Sequence, residues 1–374
     1  MPSSYTTTFR YLPVSRLLLR RFLVPLFLYV ALVACVTPYQ TETKSLAGKI
    51  LIVDGYITNQ LGPHQVSLTY TADYTNAAVN FRADKATVYV TDSTGKRQDF
   101  LEVSPGLYRT PASFSGVTGQ IYKLNITLAD GRKYESVPEK IKAAPPVLKV
   151  YDEYTQKPIP NTKIFDKGFN IYLDTQDPAT PGDYYRWKWT NFDPVIFCNT
   201  RSVQLRGNTV EYGYYCCQQC WDVRTCTGPA CLNATSDEAI NGNAISRQFI
   251  LRAPFETYER YYVEIEQLAI SRAAYVYYKT IGNLTSSNGG IFDAAPASVR
   301  GNMRSLTNPN EQVFGFFSAA GAQKLPYVVD RIRGQGTPNS RVLPVPDPSV
   351  PPPPCAACVE SDYRTRIKPR WWTF

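Results

Sequence analysis

Ile121-Tyr-Lys-Leu-Asn-Ile-Thr-Leu-Ala-Asp-Gly-Arg-Lys133 is the stretch whose pattern sets the fold class. Tyr122, Leu124, Ile126 and Leu128 alternate with Lys123, Asn125 and Thr127, the period of two that sends successive side chains to opposite faces of a strand. Asp130-Gly131 then supplies the backbone freedom of a hairpin turn before a second strand over residues 133–137. Working outward, residues 50–58 are apolar and β-branched, residues 64–71 alternate through Val66, Leu68 and Tyr70, and residues 86–91 through Val88 and Val90. About seven short strands between residues 49 and 138 predict an Ig-like or transthyretin-like β-sandwich, with residues 49–142 as an N-terminal domain.

Ala143-Ala-Pro-Pro146 reads as a linker. The block after it, residues 147–320, is less uniform. Strands are expected over 169–175, 184–192, 247–252, 258–267 and 312–317, with Tyr185, Trp187 and Trp189 sharing one face. Before the last of these the period changes: Ser271 is placed to cap a helix in which Ala274, Tyr277 or Tyr278, Ile281 and Leu284 recur, and Asn288-Gly-Gly290 ends it. The expected fold is all-β: two sandwich domains, the second with one inserted helix and a cysteine-rich excursion over residues 198–231. A Pro-rich tail, residues 321–374, carries Cys355-x-x-Cys358.

Composition agrees. Of 374 residues 44% are apolar, enough for one large or two ordinary cores. Twenty-nine prolines, 22 glycines and 27 tyrosines against two methionines weigh against an all-helical chain. The single histidine, His64, excludes a His-rich metal centre. Net charge is +9, but four arginines, Arg10, Arg16, Arg20 and Arg21, precede Cys35 without a single acid. The rest has only a modest basic excess and no Lys/Arg-rich run, the most basic stretch being residues 364–370, so no nucleic-acid partner is expected.

Residues 1–34 read as an export signal: a positive flank at residues 16–21, then an uncharged run over 22–34 too short to span a bilayer. The run ends Leu32-Val-Ala-Cys35, which resembles the bacterial lipobox. Cys35 is therefore the expected lipidation site, residues 35–48 a tether, and the body a lipid-anchored domain pair at the membrane. The tether shows no acidic run beside Cys35, which leaves both the periplasmic and the cell-surface face open.

These landmarks resemble the Bacteroidota outer-membrane lipoproteins of the domain of unknown function 4249. The resemblance rests on the lipobox, Ile50-Leu-Ile-Val-Asp-Gly-Tyr-Ile-Thr58 with Gly62-Pro63, Gly119-Gln-Ile-Tyr-Lys-Leu124 and Tyr185-Arg-Trp187. It continues through Leu268-Ala-Ile-Ser-Arg272, Tyr275-Val-Tyr-Tyr-Lys279, Gly289-Gly-Ile-Phe-Asp-Ala-Ala-Pro296, Gly301-Asn302, Phe314-Gly-Phe-Phe-Ser318 and the terminal Cys-x-x-Cys. It implies an outer-membrane lipoprotein often encoded beside TonB-dependent receptors, and it brings no catalytic residues.

Setting Cys35 aside leaves Cys198, Cys216, Cys217, Cys220, Cys226, Cys231, Cys355 and Cys358. An even count in an exported chain favours disulfides, whose connectivity spacing does not reveal; a four-thiolate site joining Cys217-x-x-Cys220 to Cys355-x-x-Cys358 is the rival. No cofactor is expected. His64 reads as a surface or strand-edge residue, no Gly-x-Ser-x-Gly elbow accompanies it, and Glu259, Glu264 and Glu266 read as a solvated sheet face. Partner or ligand contacts are expected at Tyr212, Tyr214, Tyr215 and Trp221 in the excursion, at Phe292 and Asp293 in a glycine-rich loop, and at Trp371 and Trp372. The expected function is that of a non-enzymatic accessory or substrate-capture partner of a TonB-dependent transporter. The alternative is a structural or adhesive envelope lipoprotein that binds glycan or protein.

Overall fold

A computed structural model of the chain describes residues 50–71, 81–198, 201–212, 217–228, 231–286, 299–339, 358–361, 363–369 and 372. Cys35, with the signal and tether, lies outside them. Leu51–Thr58 is the strand around which the first sandwich forms. It pairs antiparallel with Gln65–Tyr70 on one side and parallel with Val313–Val329 on the other. The second layer is built on Thr87–Asp92 between Arg97–Ser104 and Ile121–Thr127, and continues through Lys133–Ser136 to Met303–Ser305. Alternation decides what is inside: Leu51, Val53, Val66 and Leu68 meet Val88, Val90, Leu124 and Ile126 in one buried cluster. The Asp130-Gly131 turn forms as the sequence predicts, with Gly131 at φ +87° and its N–H donating to Leu128 O at 2.9 Å.

The second sandwich sets a three-stranded sheet, Val147–Pro158, Phe165–Gln176 and Ala244–Pro254, against Tyr184–Cys198, Tyr261–Ile270 and Val313–Val329. Tyr185 and Trp187 are buried among Phe169, Ile171, Val263 and Ile265, with Trp189 packed at the margin. The helix is Arg272–Ser286. Ser271 Oγ accepts the Ala274 N–H at 3.1 Å, the side-chain cap that satisfies an otherwise orphaned donor. Ala274 and Tyr278 seal it against Leu268, Ile270 and Phe316.

Two features differ from the sequence expectation. The last strand runs through Val313–Val329 rather than stopping near residue 317, and it serves both sandwiches. Its first part pairs with Leu51–Thr58, from Leu51↔Val313 to Thr58↔Ala320, and its second part with Tyr261–Ile270, from Ala269↔Gly321 to Tyr261↔Val329. Gly321 marks the handover: a Cβ there would stand 1.8 Å from Lys142 O, immediately before the linker. Phe317 and Ala319 consequently belong to the first core, which Met303 joins from the strand beside Lys133–Ser136.

The excursion, expected as a stapled loop, contains regular sheet. Arg201–Leu205 and Asn208–Tyr212 form a hairpin whose two turn residues, Arg206 and Gly207, both have positive φ, as a tight hairpin requires. Cys217–Thr225 pairs along Tyr184–Cys198. Its polar and cysteine-rich sequence lacks an apolar alternation, and of its nine residues only Cys220, bonded to Cys358, and Trp221 are buried.

Arg331 is fully enclosed and meets Asp193 Oδ1 at 3.0 Å, Thr257 Oγ1 at 2.9 Å and Pro254 O at 3.2 Å, and it also donates to Glu259 O. Burial raises the Asp193 carboxyl above its ordinary value, so this aspartate depends on its guanidinium partner to remain charged. Replacing Arg331 with Met is expected to cost about 3–5 kcal/mol, read from urea unfolding. A loss under about 1 kcal/mol would place the pair with weak surface bridges instead.

Candidate functional site

Tyr184–Cys198 begins Tyr-Tyr-Arg-Trp-Lys-Trp. In a strand, the face opposite Tyr185, Trp187 and Trp189 must carry Tyr184, Arg186 and Lys188. Strand register places Lys188 opposite Glu266 and Glu266 opposite Lys324, so three charges of alternating sign cross the sheet in one row. The first sandwich supplies what lies over this row: Tyr56 on Leu51–Thr58 donates its hydroxyl to Glu266 Oε2 at 2.9 Å. Lys324 Nζ stands 3.8 Å from Glu266 Oε1, and Lys188 Nζ lies 4.0 Å above the Tyr56 ring.

Around these groups is a crevice of about 390 Å³ lined by Asp54, Tyr56, His64, Lys188, Glu266 and Lys324 among others. A neighbouring hollow of about 480 Å³ shares Asp54, Tyr56 and Lys188 and adds Arg186, Tyr277 and Tyr278. Arg186 lies 3.7 Å over the Tyr278 ring and donates to Cys231 O at 3.0 Å. The Cys226–Cys231 disulfide closes a five-residue step in the wall of the second hollow, and Cys226 also borders the first.

Burial controls the electrostatics. Desolvation, then the nearby Arg186 charge, lowers Lys188 to about 8 against the pull of Glu266 and Asp54. Burial and the Glu266 charge hold Tyr56 well above the usual phenol value, so it stays a donor at neutral pH. Burial and the Lys324 charge lower His64. Its Nε2 lies 3.1 Å from Gln60 O and its ring meets Phe114 edge-on at 5.7 Å. The crevice therefore offers ammonium groups, carboxylates, a phenol and aromatic faces, the mixture that fixes a polar ligand.

Several expectations change here. His64 is buried, 6% exposed, because the Thr110–Phe114 segment closes over it. Glu266, expected on a solvated face, is 9% exposed, with Tyr56 of the first sandwich bonded to its carboxylate; Glu264 also lines the crevice, while Glu259 is exposed. Trp221 and Trp372, expected as surface contacts, are 6% and 7% exposed, Trp372 lying edge-on to Tyr262. Tyr212 ends a strand, whereas Tyr214, Tyr215, Phe292, Asp293 and Trp371 lie outside the described residues. Sequence reasoning missed Tyr56, Lys188 and Lys324. The cationic side of the Tyr-Tyr-Arg-Trp-Lys-Trp alternation was the available signal for Lys188.

The cysteines are oxidised where they are described. Cys220 bonds Cys358 across a separation of 138 residues, Cys226 bonds Cys231, and Cys217 is also in a disulfide. The rival four-thiolate site thus loses Cys217, Cys220 and Cys358 as thiolate ligands. Cys216 and Cys355 lie outside the described residues, as does the side chain of Cys198. Around the Cys220–Cys358 bond the tail docks: Cys358 N–H donates to Gln218 Oε1 at 2.7 Å, Arg364 Nε to Asp222 Oδ1 at 2.6 Å, and Arg364–Thr365 adds a short strand to Cys217–Thr225.

Fold and site together define a disulfide-stapled double β-sandwich protein with a charged crevice where its two sandwiches meet. The family follows: the model of the domain of unknown function DUF4249 matches residues 36–325, and the chain belongs to that family. No curated protein matches it. Among solved structures it is similar to a two-domain fibronectin type-III segment of chicken tenascin, at 10% identity and a TM-score of 0.16, over 76% of this chain and 99% of that one.

A lysine whose folded pKa lies below its unfolded value costs stability at low pH, and the penalty fades as pH rises from about 8 toward the ordinary lysine range. Lys188→Met is therefore expected to stabilise the protein at pH about 7 and to do so less at pH about 10, measured by denaturant unfolding at both. An equal effect at both would contradict a desolvated ammonium. Replacing Cys220 and Cys358 together by Ser is expected to lower stability by about 3–5 kcal/mol, given the long loop the bond closes, and to open residues 358–372 to limited proteolysis. Unchanged cleavage would mean that the tail docks without its bond.

Proposed function

We propose that this chain is an outer-membrane lipoprotein that captures a polar ligand carrying charges of both signs and passes it, without chemical change, to a TonB-dependent transporter. The observation that carries the capture reading is the Lys188–Glu266–Lys324 row under Tyr56, in which Glu266 is buried, Lys188 half-buried and Lys324 exposed at the mouth. Charged groups are kept out of bulk water at a cost, and a ligand that pairs with them recovers it. Binding without turnover is supported by the chemistry of the walls: His64 has its Nε2 directed at a backbone carbonyl and Cys226 is a disulfide sulfur. Neither forms a nucleophile and base pair.

The anchor is supported by the residues before and at Cys35, and the transporter by the family resemblance. Mechanistically, acyl chains hold the body beside a barrel and raise the effective concentration of captured ligand there. The Cys226–Cys231 wall and the docked tail reduce what must be ordered on binding.

Mild crosslinking in native outer membranes, with affinity purification through a C-terminal tag and mass spectrometry of linked peptides, tests this reading. A TonB-dependent barrel linked reproducibly to peptides bordering the crevice is the expected outcome, and the barrel loops involved identify the membrane face. Recovery of the lipoprotein alone, or with surface glycan only, replaces it with the adhesive envelope role.

A further inference from the structure

Away from the crevice, three aspartates converge where loops of the second sandwich meet. Asp177 follows Phe165–Gln176, Asp183 precedes Tyr184–Cys198 and Asp237 follows Ala234–Ser236. One carboxylate oxygen from each lies within 4.8 Å of the other two, and Asp177 and Asp237 are both 1% exposed. The loops are stitched through these carboxylates: Gly182 N–H donates to Asp237 Oδ2 at 2.8 Å, Gly242 N–H to Asp177 Oδ2 at 2.9 Å, and Asp237 N–H to Asp183 O at 3.0 Å. Tyr185 donates to Asp177 Oδ1 and Thr180 to Asp183 Oδ2. Lys142 Nζ, at 3.0 Å from Asp183 Oδ1, is the cation beside them, and its side chain is 42% exposed at the rim.

Asp237 Oδ1 supplies the second, independent observation. It is sealed from solvent and accepts no hydrogen bond, although the same carboxylate contributes to the cluster. A buried anionic oxygen without a donor is a rare arrangement that calls for a ligand. We propose that Asp177, Asp183 and Asp237 bind one divalent cation of the calcium type. Three carboxylates with no nitrogen or sulfur donor favour a hard cation over zinc, whose protein sites are mostly built on histidine and cysteine. Calcium–oxygen distances of about 2.3–2.6 Å place opposite ligands no more than about 5 Å apart, which matches the spacing here. Water and loop carbonyls complete the shell.

The ion would fasten loops 177–183 and 237–243 to each other, and through the Lys142–Asp183 pair to the end of the first sandwich. Lys142 O is the atom that approaches Gly321 at the handover of the shared strand. The site therefore ties the joint between the sandwiches to divalent-ion concentration outside the cytoplasm.

The full chain, purified in detergent and stripped with chelator, is titrated with calcium chloride by calorimetry. One ion per chain is expected, with a dissociation constant of about 0.1–1 mM as in extracellular modules, and saturating calcium should raise the midpoint of thermal unfolding by a few degrees. Asp237→Asn keeps the shape but puts an amide where a charge was, and is expected to weaken binding by about tenfold or more. Asp183→Asn, at a less buried position, provides the same readout if the first variant fails to show a native near-ultraviolet spectrum. Absence of calcium uptake by the unaltered protein, or wild-type affinity in both variants, overturns the site. So does an Asp237→Asn variant more stable than a wild type that ignores calcium, which would make the cluster uncompensated charge.

Discussion

Parallel pairing between Leu51–Thr58 and the first part of Val313–Val329 holds the two sandwiches in one body. It joins segments as far apart as Gln60 and Ala322, which also share a hydrogen bond of 2.8 Å across 262 residues. Parallel strands cannot be linked by a tight turn, and here the connection runs through the rest of the first sandwich and most of the second. Closing so long a loop costs only modestly more entropy than closing a short one. Gly315, at φ +92° with Val53 O only 1.9 Å from where a Cβ would stand, shows how closely the ladder is fitted. The crevice follows from the same pairing, because Tyr56 comes from one partner strand, Lys324 from the other, and Glu266 from the next strand over.

Much of the fold was legible because period-two patterns are local. Ile121–Thr127, Lys133–Ser136, Gln65–Tyr70 and Thr87–Asp92 fall where alternation places them, and the Ser271 cap marks the start of the helix. The later half of Val313–Val329 was hidden: Gln323, Lys324, Pro326 and Tyr327 do not read as a strand continuing an apolar run. Its regularity comes from Tyr261–Ile270, whose backbone pairs with it. Cys217–Thr225 was hidden for a related reason, since its side chains are polar and its neighbours enforce the extended shape.

The site was harder to read than the fold. Glu266 and His64 look solvated in a one-dimensional pattern, and each is buried by a segment distant in sequence or by the loop turning back on it. Burial of polar groups depends on which surfaces meet, and the alternation of a single strand carries no information about that. Aromatic residues misled in the opposite sense. Trp221 stands amid cysteines and glutamines, yet it is buried on a strand that pairs with the Arg364–Thr365 segment beyond Cys358, although its ring looks available in sequence.

Leu51–Thr58 is the first described strand, and Val313–Val329 runs beside it in the same direction before entering the second sandwich. A pull on the chain at residue 50, opposed by the second sandwich, would act along the strand axis. The ladder between Leu51 and Thr58 would then bear the load in shear, with its hydrogen bonds sharing the force together instead of yielding one after another. The arrangement is that of a lap joint, strongest along the line of a pull applied through residue 50.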